Sequence, residues 1–496
     1  MNIQKMIAMV VMMGASLSAM AENEARIRPI TLDEAITLAR VQSVNAAVAL
    51  NELKTAYWEY RTFQADLLPE VNLSATLPSY AKSYNSYQQS DGSYTFVRNN
   101  FMQMAGALSI DQNIWLTGGK LSLNTSLDFM KQLDGTKDER YMSVPIALTL
   151  NQPIFGTNTF KWNRRIEPVR YAEAKANFLS ETEEVTMTTI NYFFFNLLLA
   201  KENVSIAKQN LENAEKLYEV AKAKRKMGQI SENDVLQLKL NMLNAQSTLT
   251  DYESSLKSNM FQLRSFLALG EDEELEPILP EEIPAMLVNY QDALDKALAN
   301  NAFAHNIRRR QLEADYNVAK AKGNLRQITL FAQVGFTGTG ERFQHAYDPL
   351  KDNQVVEVGF KVPLLDWGKR RGQVKVAKSN REVVQSRLRQ ETMDFNQNLF
   401  ILVEQFNNQR AQLDIANEAD EIAQKRYKTN VETFMIGRIS TLDLNDAQVS
   451  KDEARQKHIS ELFYYWYYYY QLRSLTLWDF EKNTNIDADF EAIVKK

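Results

Sequence analysis

Two stretches of this chain, residues 169–276 and 364–496, contain no proline. The first holds only Gly228 and Gly270, and beyond Gly372 the second holds only Gly437. Proline removes a backbone donor and glycine loosens the chain, so stretches that lack both can run as long helices. Average usage would place about 35 glycines and about 25 prolines in a chain this long, against the 17 and 11 present among 496 residues. Few turns mean long elements, which argues against the roughly three ordinary domains that length alone suggests.

The chain is one unit written twice. A shift of 209 residues superposes Lys216-Leu217-Tyr218 on Lys425-Arg426-Tyr427, Gly228-Gln229-Ile230-Ser231 on Gly437-Arg438-Ile439-Ser440, and Asp234 on Asp443. Near the start of each copy the shift is 258, because Asp33-Glu34-Ala35-Ile36 matches Gln291-Asp292-Ala293-Leu294. The first copy therefore carries 49 more residues, 258 less 209, nearly all between Leu73 and Pro153. Gln112-Asn113-Ile114-Trp115 echoes Gln152-Pro153-Ile154-Phe155 there, and an extra strand pair explains both observations. The division that follows is residues 1–21 as a signal, 22–284 as the first repeat, 285–480 as the second and 481–496 as a tail.

Strands are expected at about 67–155 and 327–365. Val71, Leu73, Ala75 and Leu77 alternate with Asn72, Ser74 and Thr76, and Ile146, Leu148 and Leu150 with Ala147, Thr149 and Asn151. Period-two alternation marks strands with one apolar face. Gln103 to Trp115 and Lys120 to Lys131, joined by the Gly118-Gly119 turn, form the extra pair. In the second copy the strands are Ile328 to Gly335 and Val355 to Leu364, with Gly338, Gly340 and Pro349 in the loop between them. Such strands suit a barrel wall, and a soluble sandwich is the competing arrangement. The glycine cluster Gly335-x-x-Gly338-x-Gly340 lacks the lysine and following helix of a phosphate loop and reads as a surface loop.

Each strand group precedes a helical run of more than 60 residues. Apolar positions recur every seven at Ile190, Leu197, Val204, Leu211 and Tyr218, and at Leu399, Phe406, Leu413, Tyr427 and Phe434, which is coiled-coil periodicity. Ile401, Ile415 and Ile422 add a second stripe. Two stripes fit a ring of helices, and one broad stripe in a bundle gives the same pattern. Gly228 followed by Ser231-x-x-Asp234, and Gly437 followed by Ser440-x-x-Asp443, read as helix stops leading into N-caps with an acidic N3 residue. Two helical hairpins result. Lys222, Lys224, Arg225 and Lys226 complement the dipole at the end of the first long helix. The aromatic run Phe463 to Tyr470 is expected to pack between helices.

The chemistry available is narrow. With no cysteine, three scattered histidines (His305, His345, His458) and a net charge of -5, the chain has no thiolate, no His/Cys zinc set and no basic field for nucleic acid. No cofactor and no catalytic set is expected, since no paired carboxylates come with a histidine-bearing or glycine-rich pocket. Met1 to Ala21 has a positive start at Lys5, a short apolar core and the small-x-small site Ala19-Met20-Ala21, as in a secretory signal. Its core is short of the roughly 20 residues of a spanning helix.

On these features the chain resembles the TolC-like outer-membrane efflux proteins. The resemblance runs from Thr31-Leu32-Asp33-Glu34-Ala35 through Leu68-Pro69-Glu70-Val71-Asn72-Leu73 to the last helix. It is most specific at Gly228 to Gln237 and Gly437 to Gln448. The resemblance implies an α+β membrane protein, a homotrimer whose chains build one β-barrel in the outer membrane and one long α-helical barrel across the periplasm. It further implies a non-enzymatic exit duct that docks a periplasmic adaptor and an inner-membrane pump, for multidrug export or other solutes. Asp443 and Asp446 fall where the family's acidic pore constriction lies. Gly228, Gln229, Ile230 and Ser231, with Gly437, Arg438, Ile439 and Ser440, correspond to the adaptor-docking tips. In members that latch the closed mouth with a Tyr and an Arg, those positions are Phe434 and Ile439 here, with Arg438 adjacent and the acidic partner kept as Asp234. Six strands per chain depart from the usual four, giving 18 in a trimer instead of 12 unless the added hairpin folds outside the wall. A secreted coiled-coil scaffold without a pore is the alternative, and it leaves the alternating strands unexplained.

Overall fold

The structure, a computed structural model, describes residues 26–134, 138–270, 273–280, 283–284, 286–325, 327–361, 365–436 and 438–495. The expected signal segment and Gly437 lie outside the described residues. The described residues begin with β1 (Arg26–Ile30), α1 (Leu32–Gln42) and α2 (Val44–Ala65). Four strands follow: β2 (Glu70–Gln88), β3 (Tyr94–Ile114), β4 (Gly119–Gln132) and β5 (Glu139–Pro153). Next come α3 (Thr159–Thr188), a π-helical segment (Thr189–Phe194), α4 (Phe195–Lys226), α5 (Glu232–Phe266) and β6 (Glu273–Pro277). The rest comprises α6 (Tyr290–Asn300), α7 (Ala302–Gly323), β7 (Gln327–Gly340), β8 (Lys351–Lys361), α8 (Lys369–Met435) and α9 (Thr441–Thr476). The tail adds β9 (Trp478–Asp479), β10 (Thr484–Asn485) and α10 (Phe490–Lys495).

Two compact units share these elements. One takes the described residues up to Glu52 together with Ala176–Asn301 and Phe395 onward; the other takes Leu53–Lys175 and Ala302–Asp394. Each unit draws on both halves of the chain.

The strand-bearing unit holds one antiparallel sheet of order β2-β3-β4-β5-β7-β8. Its strands outrun the alternating segments read from sequence, and one boundary is corrected. Gly335, Gly338 and Gly340 belong to β7 and not to a loop. A Cβ on Gly335 would lie 2.5 Å from the Ile146 carbonyl oxygen of the neighbouring strand, and Cβ atoms on Gly338 and Gly340 would strike Ala346 and His345. These glycines permit close backbone approach, which is the second meaning of glycine in a strand.

The helical unit is organised by the heptad stripes. Ile190 and Leu197 pack with Leu399, Phe406 and Leu413 of α8 and with Leu462, Tyr465 and Tyr469 of α9 in one buried cluster. Three of the eight residues of the aromatic run are thus buried core, Tyr465, Tyr469 and Tyr470, while Tyr464 is exposed. Burial holds the Tyr465 phenol at about 12.

The first long helix differs from the uninterrupted Pro-free run expected. It starts at Thr159 and runs through Pro168, an exposed residue that has no N–H to donate to the carbonyl one turn back. It then widens into the π-helical segment at Thr189–Phe194. One inserted residue rotates the faces that follow. Phe193 then stacks on Phe266 at 4.3 Å, and Phe195 meets Phe463 edge-on at 5.5 Å. The second run, α8, is unbroken over 67 residues.

Candidate functional site

The two helix turns read from sequence as tips both form, and they meet. After α4 the backbone enters the left-handed region at Gly228, with φ +75°. The Gly228 N–H donates to the Arg225 carbonyl and the Gln229 N–H to the Lys224 carbonyl, each at 2.9 Å, the paired bonds of a Schellman stop. The chain restarts at once. Ser231 accepts from the Asp234 N–H, and the Asp234 carboxylate accepts from Ser231 N–H at 3.1 Å and from its hydroxyl at 2.6 Å. The second turn repeats the scheme: Arg438 N–H donates to Thr433 carbonyl at 3.1 Å, and Ser440 with Asp443 forms the same reciprocal cap. Bonds from Ser440 hold the Asp443 carboxyl below the usual carboxylate range, with Arg426 adding to the effect.

Only glycine takes φ +75° freely, and a Cβ on Gly228 would meet nothing. Gly228→Ala is therefore expected to cost about 1 kcal/mol through backbone strain alone. Faster amide exchange at Gln229 and Ile230, with the remaining helices unchanged, is the readout.

One apolar cluster joins the turns. Leu217, Ala221, Leu238, Tyr427, Phe434, Leu444 and Ala447 are buried together, with Ile230, Val235 and Ile439 packed against them. Phe434 and Ile439, the two positions at which the chain departs from latching members of the family, pack in this cluster. Asp234 spends its carboxylate on the cap of its own helix, and Arg438 is exposed.

Two polar contacts escaped the sequence reading. Lys224 Nζ donates to the carbonyls of Phe434 (3.4 Å) and Met435 (3.2 Å) and lies 5.5 Å from the Phe434 ring centroid. Its charge therefore complements the carbonyl end of α8 as well as that of its own helix. Arg426 Nη2 donates to Asp446 Oδ2 at 2.5 Å, so one of the two candidate constriction carboxylates is already paired within the chain. Met227, Met435, Ile436 and Leu442 stand exposed around the turns.

The sheet is two-faced. Strand register places Leu73, Leu108, Ile110, Leu123, Leu148, Val334, Val356 and Val358 on one face, all exposed. The opposite face carries Asn72, Ser74, Ser109, Asp111, Ser122, Asn124, Thr149 and Gln333. Aromatic residues bound the apolar face at one end, where Phe129 lies 4.9 Å from Tyr141 and Tyr141 6.3 Å from Phe343. At the other end, beside the helix junctions, Trp115, Leu116, Ile154, Phe155, Leu365 and Trp367 are exposed. No described helix is long and apolar enough to cross a membrane, and no His/Cys/Asp/Glu group among the described residues could hold a metal.

A family model for outer membrane efflux proteins matches residues 35–269 and 294–461. The chain belongs to this family. The TolC-like resemblance therefore stands, and with it an outer-membrane channel of efflux that extends into the periplasm. Solved structures share the fold. The Campylobacter jejuni CmeC outer membrane channel superposes with TM-score 0.66 at 15% identity, covering 94% of this chain and 88% of its own. The outer-membrane channel OprN gives 0.64 at 14%, covering 90% and 89%. VceC, an outer membrane protein of Vibrio cholerae, gives 0.62 at 15%, covering 92% and 97%. No curated protein sequence matches the chain.

Proposed function

We propose that three copies of this efflux family member form the exit duct of a tripartite efflux or secretion system. The duct passively conducts drugs or other solutes from an inner-membrane pump and a periplasmic adaptor to the exterior. The observation that carries this reading is the sheet with one continuous apolar face and one polar face, which suits a wall between lipid and water. Each chain supplies two repeats of strands and helices to the assembly. Exposed stripes on different helices support ring closure: Ile401, Ile415 and Ile422 on α8, and Leu236, Leu240 and Leu243 on α5. Unlike patches that meet head to tail generate a ring. The exposed apolar residues about Gly228 and Ser440 are the docking surface for the adaptor.

The test is extraction and conduction. Detergent-dependent extraction as a trimer that conducts ions in planar bilayers is expected, and a water-soluble, non-conducting product would overturn the proposal.

At the periplasmic mouth, Asp443 and Asp446 from three chains bring six carboxylates together, which favours cations. Asp443→Asn with Asp446→Asn is expected to weaken cation preference and divalent-cation block several-fold. Because Arg426 neutralises Asp446 within each chain, Arg426→Gln should shift both in the opposite direction. Reversal potentials unmoved by either change would remove these residues from the constriction.

A further inference from the structure

The extra hairpin of the first copy can either widen the channel wall or lie outside it. We infer that β3 and β4 are wall strands and that three chains close a barrel of eighteen strands. This rests on the trimeric duct proposed above and concerns its size.

Register is the first argument. β3 and β4 pair without a shift from Phe101↔Gln132 to Ile114↔Gly119, and each also pairs outward, β3 with β2 and β4 with β5. β2 has no pairing with β5, so lifting the hairpin out would leave a gap in the sheet.

Face chemistry is the second. A hairpin lying outside a barrel would rest one face on the wall and turn the other to lipid, and would need both to be apolar. Here Leu108, Ile110, Leu121, Leu123 and Leu127 share the face of Leu73 and Leu148, while Ser109, Asp111, Ser122 and Asn124 share the face of Asn72 and Thr149. The polar face is internally bonded: Ser122 donates to Asp111 at 2.5 Å and Lys120 pairs with Asp111 at 3.2 Å. Water on that side and lipid on the other satisfy both faces at once.

Closure is the third. All neighbours are antiparallel and six is even, so the free edges of β2 and β8 run in opposite directions. Identical sheets can therefore join edge to edge by the same antiparallel pairing, which leaves no edge in the bilayer. At about 4.8 Å between strands and a tilt of about 40°, eighteen strands give a wall roughly 36 Å across, against roughly 24 Å for twelve.

Three equivalent spin labels in a trimer form an equilateral triangle whose side is about 0.87 of the wall diameter, so the distance between labels reads the strand number. The chain has no native cysteine, and labels at Gln333→Cys and Val334→Cys, on opposite faces of β7, bracket the wall from inside and outside. Mean distances near 31 Å are expected, falling to near 21 Å in a chain lacking 94–132, where β2 can pair directly with β5. Should the shortened chain fail to assemble, the full-length distances decide alone. Near 21 Å in a conducting full-length trimer would overturn the eighteen-stranded wall while leaving the duct intact. Absence of a trimer would remove the duct itself.

Discussion

Replacing Glu183 by alanine is expected to cost the helical unit about 3 to 5 kcal/mol. Its side chain is 1% exposed and joins three segments: Arg40 Nη2 of α1 lies 2.6 Å away and Arg473 Nε of α9 lies 3.5 Å away. Arg473 in turn reaches Asp479 at 3.0 Å beyond the end of α9. Removing the carboxylate strands Arg473, itself only 13% exposed, beside a single remaining partner. An uncompensated buried charge is what makes a one-sided deletion costly, whereas exchanging both partners for apolar residues of similar size is often close to neutral. Glu183→Leu with Arg473→Met and Asp479→Asn, which removes the buried charges of this network together, should therefore recover part of the loss. Denaturant unfolding followed by circular dichroism gives the comparison. A loss under about 1 kcal/mol for Glu183→Ala would mean that water reaches the site, and no recovery in the triple variant would assign the cost to the lost Arg40 contact instead.

This network was invisible in the sequence for a physical reason. What local periodicity encodes was readable: alternation in β2 and β5, heptads in α4 and α8, and the caps at Ser231 and Ser440 all depend on residues a few positions apart. Glu183 meets Arg473 across most of the chain, and Lys224 reaches the carbonyls of Phe434 and Met435 across 210 and 211 positions. The parallel pairing of β1 with β6 is likewise non-local. No pattern within a window announces such contacts. Glycine misled in one place because its two uses look alike in sequence: at Gly228 it turns the chain, and at Gly335 it lets two strands approach. The π-helical segment left only the trace of Tyr192 to Phe195, four consecutive aromatics that an unmodified helix would scatter over its faces. At the tips the residue types were legible but not their use, since Phe434 and Ile439 gain their meaning from the cluster that encloses them.

The sheet faces permit the sharpest contrast between adjacent residues. Leu148 and Thr149 are neighbours on β5, a strand paired on both sides: Leu148 lies between Leu123 and Val334, and Thr149 between Ser122 and Gln333. Leu148 is also midway in sequence between Tyr141 and Phe155, the aromatic residues near the two ends of the apolar face. With that face on lipid, an arginine at 148 sits near the bilayer midplane and should cost about 2 to 4 kcal/mol, while one at 149 meets water and costs little. A second substitution, Val334→Arg beside the first, adds a like charge at the same depth. Leu148→Arg with Val334→Arg is accordingly expected to abolish membrane assembly, with Thr149→Arg extracted at normal levels. The measurement is the amount of trimer recovered from membranes in mild detergent together with urea-unfolding midpoints in lipid vesicles. Equal losses at 148 and 149 would mean that the apolar face does not meet lipid, and a greater loss at 149 would place that face on the inside of the wall.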